Sequence, residues 1–305
     1  MSESEKLKSP IFVIGTNRAG KELFIKLVAY HEDFAWLSNY HMRFPKNLRV
    51  SYLNRILDFP LFNSKIKYKK GFPKPSSSYL FWNTLFEGFR KPFRDLRADD
   101  VNPMVKRKIR ETVSRILKYE GKKVFLAQYS GWSRIGFFKE IFPNAKFIHV
   151  VRDGRAVANS LTNYEGWEGW RGVYNWRLGY IPAKEEMTFL DSMNWSFYAI
   201  AALEWKTIVN NIINVSAKLP ADDFITVRYE DLVETPDEIV KKVMKFCGVS
   251  EISKRYIRHR KTIKIINANE KSFRIPSWKK NLSPDVIEKL TEFLSDELKY
   301  YSYLE

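Results

Sequence analysis

Apolar and polar positions follow two rhythms along this chain. Short apolar runs rich in β-branched residues, bounded by turn formers or polar residues, fall at 11–14, 124–127, 146–151 and 224–228. Each adjoins a helical pattern, which predicts an α/β fold with a central parallel sheet flanked by helices. Helical spacing over 21–30 gathers Leu23, Phe24, Leu27, Val28 and Tyr30 on one side. The pattern over 187–219 reads as one long helix with Trp195, Phe197, Ile200, Leu203, Ile208 and Ile212 inward. The stretch TPDEIVKKVMKFCGV reads as a capped helix ending at Gly248. Ser283 then Pro284 give a cap and first-turn proline for a last helix that turns Val286, Ile287, Leu290, Phe293 and Leu294 inward.

Between 41 and 123 the rhythm weakens, with prolines at 45, 60, 73, 75, 92 and 103. Nine Lys/Arg against two acidic residues, Glu87 and Asp95, lie between Ser64 and Arg97, interleaved with aromatics. The expectation is a single domain, 1–305, carrying a basic insertion or lid at about 44–120. That insertion reads either as an acceptor-facing surface or as a solvated loop.

Composition narrows the partners. The chain has 305 residues, 45% hydrophobic and 15% aromatic, which is globular rather than disordered. A net charge of +17 points to an anionic partner, or else to a lysine-rich surface serving solubility. Charge alone does not separate nucleic acid, anionic membrane, polyanionic carbohydrate and phosphorylated small molecules. The single cysteine, Cys247, forms no intrachain disulfide, and no Cys/His group has metal spacing, so no metal is expected. No run reaches the roughly 20 apolar residues of a membrane span, and a cytoplasmic protein without a transmembrane segment is expected.

Two stretches carry chemistry. IFVIGTNRAGKELF is a strand, a glycine, four residues, a second glycine and a helix, the geometry in which backbone amides surround a phosphate. GTNRAGK satisfies the first seven positions of the nucleotide P-loop, but Glu22 stands where a hydroxyl would hold Mg²⁺. In FPNAKFIHVVRDGRAVANSL, Arg152 follows a strand and Ser160 lies on the next helix. Ligands of open α/β sheets bind at the carboxyl ends of strands, so one crevice is expected to hold two anionic groups.

With those residues the sequence resembles sulfotransferases that use 3′-phosphoadenosine 5′-phosphosulfate (PAPS), in particular the bacterial type with an arginine in the first loop. The resemblance implies that Gly15, Thr16, Asn17, Arg18, Ala19, Gly20, Lys21 and Glu22 form the loop around the phosphosulfate, and that Arg152 and Ser160 grip the 3′-phosphate. RYEDLVETPDEIVKKVMKFCGV resembles the segment whose tyrosine, here Tyr229, lies near adenine. SWKKNLSPD resembles the closing Trp-Lys loop, here Trp278 and Lys279, and YHEDFAWLSNYHMRFP resembles the segment on the acceptor side. The family's usual Ser-Gly-Thr-Thr is here Ala19, Gly20, Lys21 and Glu22. Gln128 stands where a related pattern has lysine, and Pro276 where glycine is frequent.

Sulfuryl transfer requires neutralisation of the leaving phosphate, for which Arg18 is the candidate, with Lys21 replacing a lost hydroxyl donor as a point charge. A base must take the acceptor's proton. His41 lies in the acceptor-side segment and is the candidate. His149 reads as core, His31 and His259 as superficial, and Asp153 as the pin of Arg152. Trp167, Trp170 and Trp176 form either an acceptor wall or a packed loop anchor. The expected function is transfer of a sulfuryl group from PAPS to a hydroxyl or amine of a carbohydrate, lipid-like or natural-product acceptor, with no specific nucleic acid partner. Two rivals remain: a catalytically degenerate binder of polyanions or nucleotides, and a P-loop nucleotide kinase.

Overall fold

The computed structural model of the protein describes residues 8–58, 71–90, 93–173, 181–249, 256, 257, 259, 263 and 277–305. Strands β1 (Ile11–Ile14), β2 (Phe34–Trp36), β3 (Val124–Gln128), β4 (Lys146–Val151) and β5 (Phe224–Arg228) form one sheet in the order β2-β3-β1-β4-β5. All four pairings are parallel, so β1 lies at the centre, with Ile11 opposite both Leu126 and Lys146.

The helices are α1 (Lys21–Val28), α2 (Asn39–Arg43), α3 (Tyr79–Leu85), α4 (Pro103–Glu120), α5 (Ile135–Ile141), α6 (Gly154–Thr162), α7 (Lys184–Ser192), α8 (Phe197–Ser216), α9 (Tyr229–Glu234) and α10 (Pro236–Cys247). Three more, Ser277–Asn281, Pro284–Phe293 and Ser295–Tyr300, close the chain. Successive strand side chains alternate faces. Phe12, Ile14, Phe125, Ala127, Phe147 and Val151 meet Ile109 and Val113 of α4, Val157 of α6 and Leu203 of α8. Ile11, Val13, Leu126, Ile148 and Val150 meet Phe24 and Leu27 of α1 and Val240 and Val243 of α10. Burying each such large side chain contributes about 1.5–3 kcal/mol, and the two layers hold the strand ends in register.

The structure departs from the sequence reading in three places. β2 is an additional edge strand, short and aromatic rather than β-branched. The single helix expected over 187–219 is two, because Asn194 and Trp195 take left-handed backbone angles (φ 49° and 52°) and Ser196 caps α8 by accepting from Ala199 N–H. Phe197, expected inward, is consequently exposed, and half-buried Trp195 donates from Nε1 to Asp191 Oδ1 at 2.8 Å. His31 and His259, expected at the surface, are both buried.

The region 44–120 is largely helical where described: a 3₁₀ segment (Leu48–Asp58), α3 and α4, whose Asn102 cap and Pro103 start match the usual helix-entry chemistry. Among the described residues no helix is long and apolar enough to cross a membrane.

Candidate anion-binding site

The loop from Gly15 to Gly20 leaves the carboxyl end of β1 and enters α1. Gly15 has φ 143°, and a Cβ there would sit 2.3 Å from the Val150 carbonyl oxygen of β4. On the other side Gly131 N–H donates to the Gly15 carbonyl at 3.2 Å. The first glycine is therefore clamped between the neighbouring strands' ends. Gly20 has φ 95°, and a Cβ there would meet the Tyr229 ring at 2.2 Å, so only glycine lets α9 pack against this turn. No side chain caps the N-terminus of α1, whose positive dipole end and first-turn amides suit an anion.

Thr16 and Ala19 are buried, Asn17 and Gly20 half-buried, and Arg18 is exposed with φ 64°. That backbone angle sends the Arg18 side chain across the crevice to α6, where Nε donates to Ser160 Oγ at 2.9 Å. Its guanidinium also lies over the Tyr164 ring, 5.4 Å from the centroid. Arg152, at the carboxyl end of β4, donates from Nη1 to the Arg18 carbonyl at 3.4 Å and lies over the Tyr229 ring at 4.6 Å. Arg18, Arg152, Ser160, Gly20 and Tyr229 thus meet in one place, from three strand ends. Tyr164 belongs with them, although no motif in the sequence marks it.

Lys21 is placed differently from the point charge expected. It turns beneath the loop, is buried, and donates from Nζ to the Gly15 carbonyl at 3.1 Å and to the Thr16 carbonyl. Burial pulls its pKa from 10.5 down to about 7, with Glu22 opposing the shift. Lys21 therefore ties the loop from inside. Glu22 is exposed in the first turn of α1, a favourable end of the helix dipole.

Asp153 does not pin Arg152. It caps α6 and binds Arg155 instead, accepting from its backbone N–H at 2.9 Å, Nε at 3.1 Å and Nη2 at 2.8 Å. The Arg155 guanidinium lies over buried Trp278 at 4.6 Å, so the Trp-Lys segment docks on α6 through Arg155, with Lys279 exposed beside it.

His41, expected to face the acceptor, is fully buried. Its Nδ1 accepts from Ser38 N–H at 3.0 Å, which leaves the ring proton on Nε2 to donate to Ser51 Oγ at 2.9 Å. Burial pushes its pKa down to about 4. A ring so enclosed caps α2 and fastens it to the 3₁₀ segment. His149 is core as expected, with Nδ1 3.3 Å from the Tyr301 hydroxyl. Trp167 is buried and donates from Nε1 to Glu204 Oε2 at 2.7 Å, Trp170 is exposed, and Trp176 lies outside the described residues. Among the described residues no group of three or more His, Cys, Asp and Glu is placed to hold a metal ion.

Comparison with known proteins bears on the family and the fold. A model of the sulfotransferase family matches residues 10–253. Protein-tyrosine sulfotransferase of Drosophila melanogaster is 30% identical over 110 residues, 36% of this chain and 18% of the relative. Protein-tyrosine sulfotransferase A of Caenorhabditis elegans is 23% identical over 113 residues, 37% of this chain and 24% of the relative. The chain thus spans about a fifth of the length of these relatives. The fold is similar to that of sulfotransferase STF9 from Mycobacterium avium (TM-score 0.59, 13% identity, 96% of this chain and 77% of that one). It is also similar to sulfotransferase STF1 from Mycobacterium tuberculosis H37Rv (TM-score 0.52, 15% identity, 90% of this chain and 77% of that one).

Proposed function

Because the chain belongs to the sulfotransferase family, we propose that it transfers a sulfuryl group from PAPS to a hydroxyl or amine of a small-molecule or carbohydrate acceptor. One observation carries this reading: two arginines from different strand ends, Arg18 and Arg152, share a crevice with Ser160, Tyr229 and an uncapped helix N-terminus. A single phosphate needs one such cradle. Two cationic groups beside an aromatic face suit a nucleotide with more than one anionic group.

In the proposed complex the backbone amides of Thr16 to Lys21 hold the 5′ side, Arg152 and Ser160 hold the 3′-phosphate, and Tyr229 lies against adenine. Trp278 and Lys279 flank the same nucleotide. The acceptor oxygen or nitrogen bonds to sulfur as the bond from sulfur to the phosphate oxygen breaks, leaving the electron pair on the phosphate of 3′,5′-ADP. Arg18 neutralises that growing charge. The acceptor's proton leaves without His41 or Asp153, since the first is enclosed and the second is committed to Arg155. A phenol, the acceptor that the relatives' names state for them, loses that proton most readily among hydroxyls. The region 44–120 is proposed as the acceptor-side rim, because α2, just before it, follows the carboxyl end of β2 and packs on α3, with Ser38 bridged to Pro75. The single cysteine, buried, fits a cytoplasmic setting.

Thermal shift with 3′,5′-ADP against ATP plus Mg²⁺, followed by transfer of labelled sulfate from PAPS to an acceptor library in EDTA, tests the reading. Stabilisation by 3′,5′-ADP with transfer surviving EDTA is expected. A preference for ATP with Mg²⁺ points to the kinase, and tight 3′,5′-ADP binding without transfer to any acceptor points to the degenerate binder.

A further inference from the structure

One carboxylate joins the ends of β4 and β5 behind the crevice. Glu230, in the first turn of α9, accepts from Asp153 N–H through Oε1 at 3.3 Å. Through Oε2 it accepts from the Tyr303 hydroxyl at 2.6 Å. Asp153 directly follows Arg152, and Glu230 directly follows Tyr229, the ring on which the Arg152 guanidinium rests. The side chain of Glu230 thus fixes the spacing between the backbone that carries Arg152 and the ring that supports it. A further bond holds the same backbone from the other side, where Trp205 Nε1 donates to the Arg152 carbonyl at 3.2 Å.

Tyr303 is itself oriented. The Arg228 guanidinium lies 4.6 Å from the centroid of its ring and also hydrogen-bonds its hydroxyl, which in turn donates to Glu230. Burial raises the pKa of both Glu230 and Tyr303, which keeps the phenol protonated and able to donate. Glu230 and Tyr303 touch no acceptor or donor group in the proposed complex. They act through their neighbours.

We propose that Tyr303 and Glu230 are positioning residues that set Arg152 against the 3′-phosphate, so that the segment after the helix Ser295–Tyr300 tunes donor recognition. The inference rests on the sulfotransferase reading and assigns the pair a part in it. A side chain with only a structural role would affect all nucleotides alike, whereas one acting through Arg152 affects only those with a 3′-phosphate.

The test is calorimetry of 3′,5′-ADP and of 5′-AMP on the full chain, with melting temperature recorded alongside. Tyr303→Phe keeps the ring under Arg228 and removes the hydroxyl. It is expected to weaken 3′,5′-ADP about tenfold, the lower end for loss of an outer partner of a binding group, with 5′-AMP unchanged. In an Arg152→Ala background the same substitution adds nothing, since both act on one contact. If Tyr303→Phe does not fold, Glu230→Gln, nearly identical in shape, reads the same comparison. No binding of 3′,5′-ADP by the wild type overturns the donor reading itself. Binding by the wild type with equal losses for both nucleotides, or with none, overturns this inference alone.

Discussion

Arg18 and Ser160, 142 residues apart in the chain, are joined by a 2.9 Å hydrogen bond from Nε to Oγ that spans the crevice between β1 and β4. The bond places the loop arginine and the helix serine within reach of one ligand. It also means that each is the other's partner until a nucleotide takes both.

Arg18→Ala is predicted to weaken 3′,5′-ADP roughly 10- to 150-fold, the equivalent of one charge-assisted hydrogen bond at about 1.5–3 kcal/mol, and to lower turnover as well. Arg18→Lys keeps the charge but loses the Nε contact and the flat face over Tyr164, so it falls between wild type and alanine. Calorimetry and a labelled-sulfate assay measure both quantities. Unchanged turnover in Arg18→Ala removes it from the chemistry.

Gly20→Ala places a methyl against the Tyr229 ring in a backbone conformation that strains any side chain. Strain alone destabilises by about 1–2 kcal/mol, and relief by moving Tyr229 also withdraws the support of Arg152. A lower melting temperature together with weaker nucleotide binding is expected. A variant with wild-type values for both shows that the turn and α9 do not meet as described.

His41 is predicted to be a stability group. Its pKa falls from 6.5 in the unfolded chain to about 4 in the folded one, so between those values the unfolded state binds more protons. Stability contributed by neutral His41 is present above pH 6.5 and is lost as pH falls toward 4, by at most about 1.4 kcal/mol per pH unit. His41→Asn retains an acceptor for Ser38 N–H and does not titrate. The difference between wild-type and variant unfolding free energies, from urea melts at several pH values, should shrink over that window. A flat difference shows that folding leaves the His41 pKa where it was, and loss of turnover in His41→Asn at unchanged melting temperature restores His41 as the base.

Lys21 gives a second pH signature in another window. Its folded pKa of about 7 lies below the ordinary 10.5, so the unfolded state again binds more protons, here between pH 7 and 10.5. Carrying the buried charge opposes folding fully below pH 7, and this penalty fades as pH rises. Relative to Lys21→Met, which has no charge to bury, the wild type should gain stability with pH across that range. Parallel curves place the Lys21 ammonium in solvent.

Much of the architecture was legible because β1, β3 and β4 are runs in which nearly every residue is buried, as central strands of a parallel sheet must be, while β5, at the edge and mostly half-buried, still carries a β-branched run. β2 was not, since three residues, Phe34, Ala35 and Trp36, carry too little pattern. The break between α7 and α8 was hidden because Asn194 and Trp195 sit left-handed without a glycine to announce it. The meeting of Arg18, Arg152, Ser160 and Tyr229 followed from strand ends and resemblance. Side-chain direction did not: Lys21 turned inward, Asp153 took Arg155 in place of Arg152, and His41 closed on two serines. Each choice depends on neighbours brought in by packing. The Glu230–Tyr303 bond had no local signal at all.

The clamp on Gly15 has a consequence for how the protein is made. β1 leaves the ribosome before its partners β3 and β4, with Ile11 pairing to Leu126 and Lys146. Closing such long loops is slow, and neither side of the clamp exists before those strands are synthesised and docked. The anion cradle, although encoded ahead of those strands, is thus among the later features of this fold to take shape. Nascent chains ending before β4 would carry the glycine loop without a nucleotide grip.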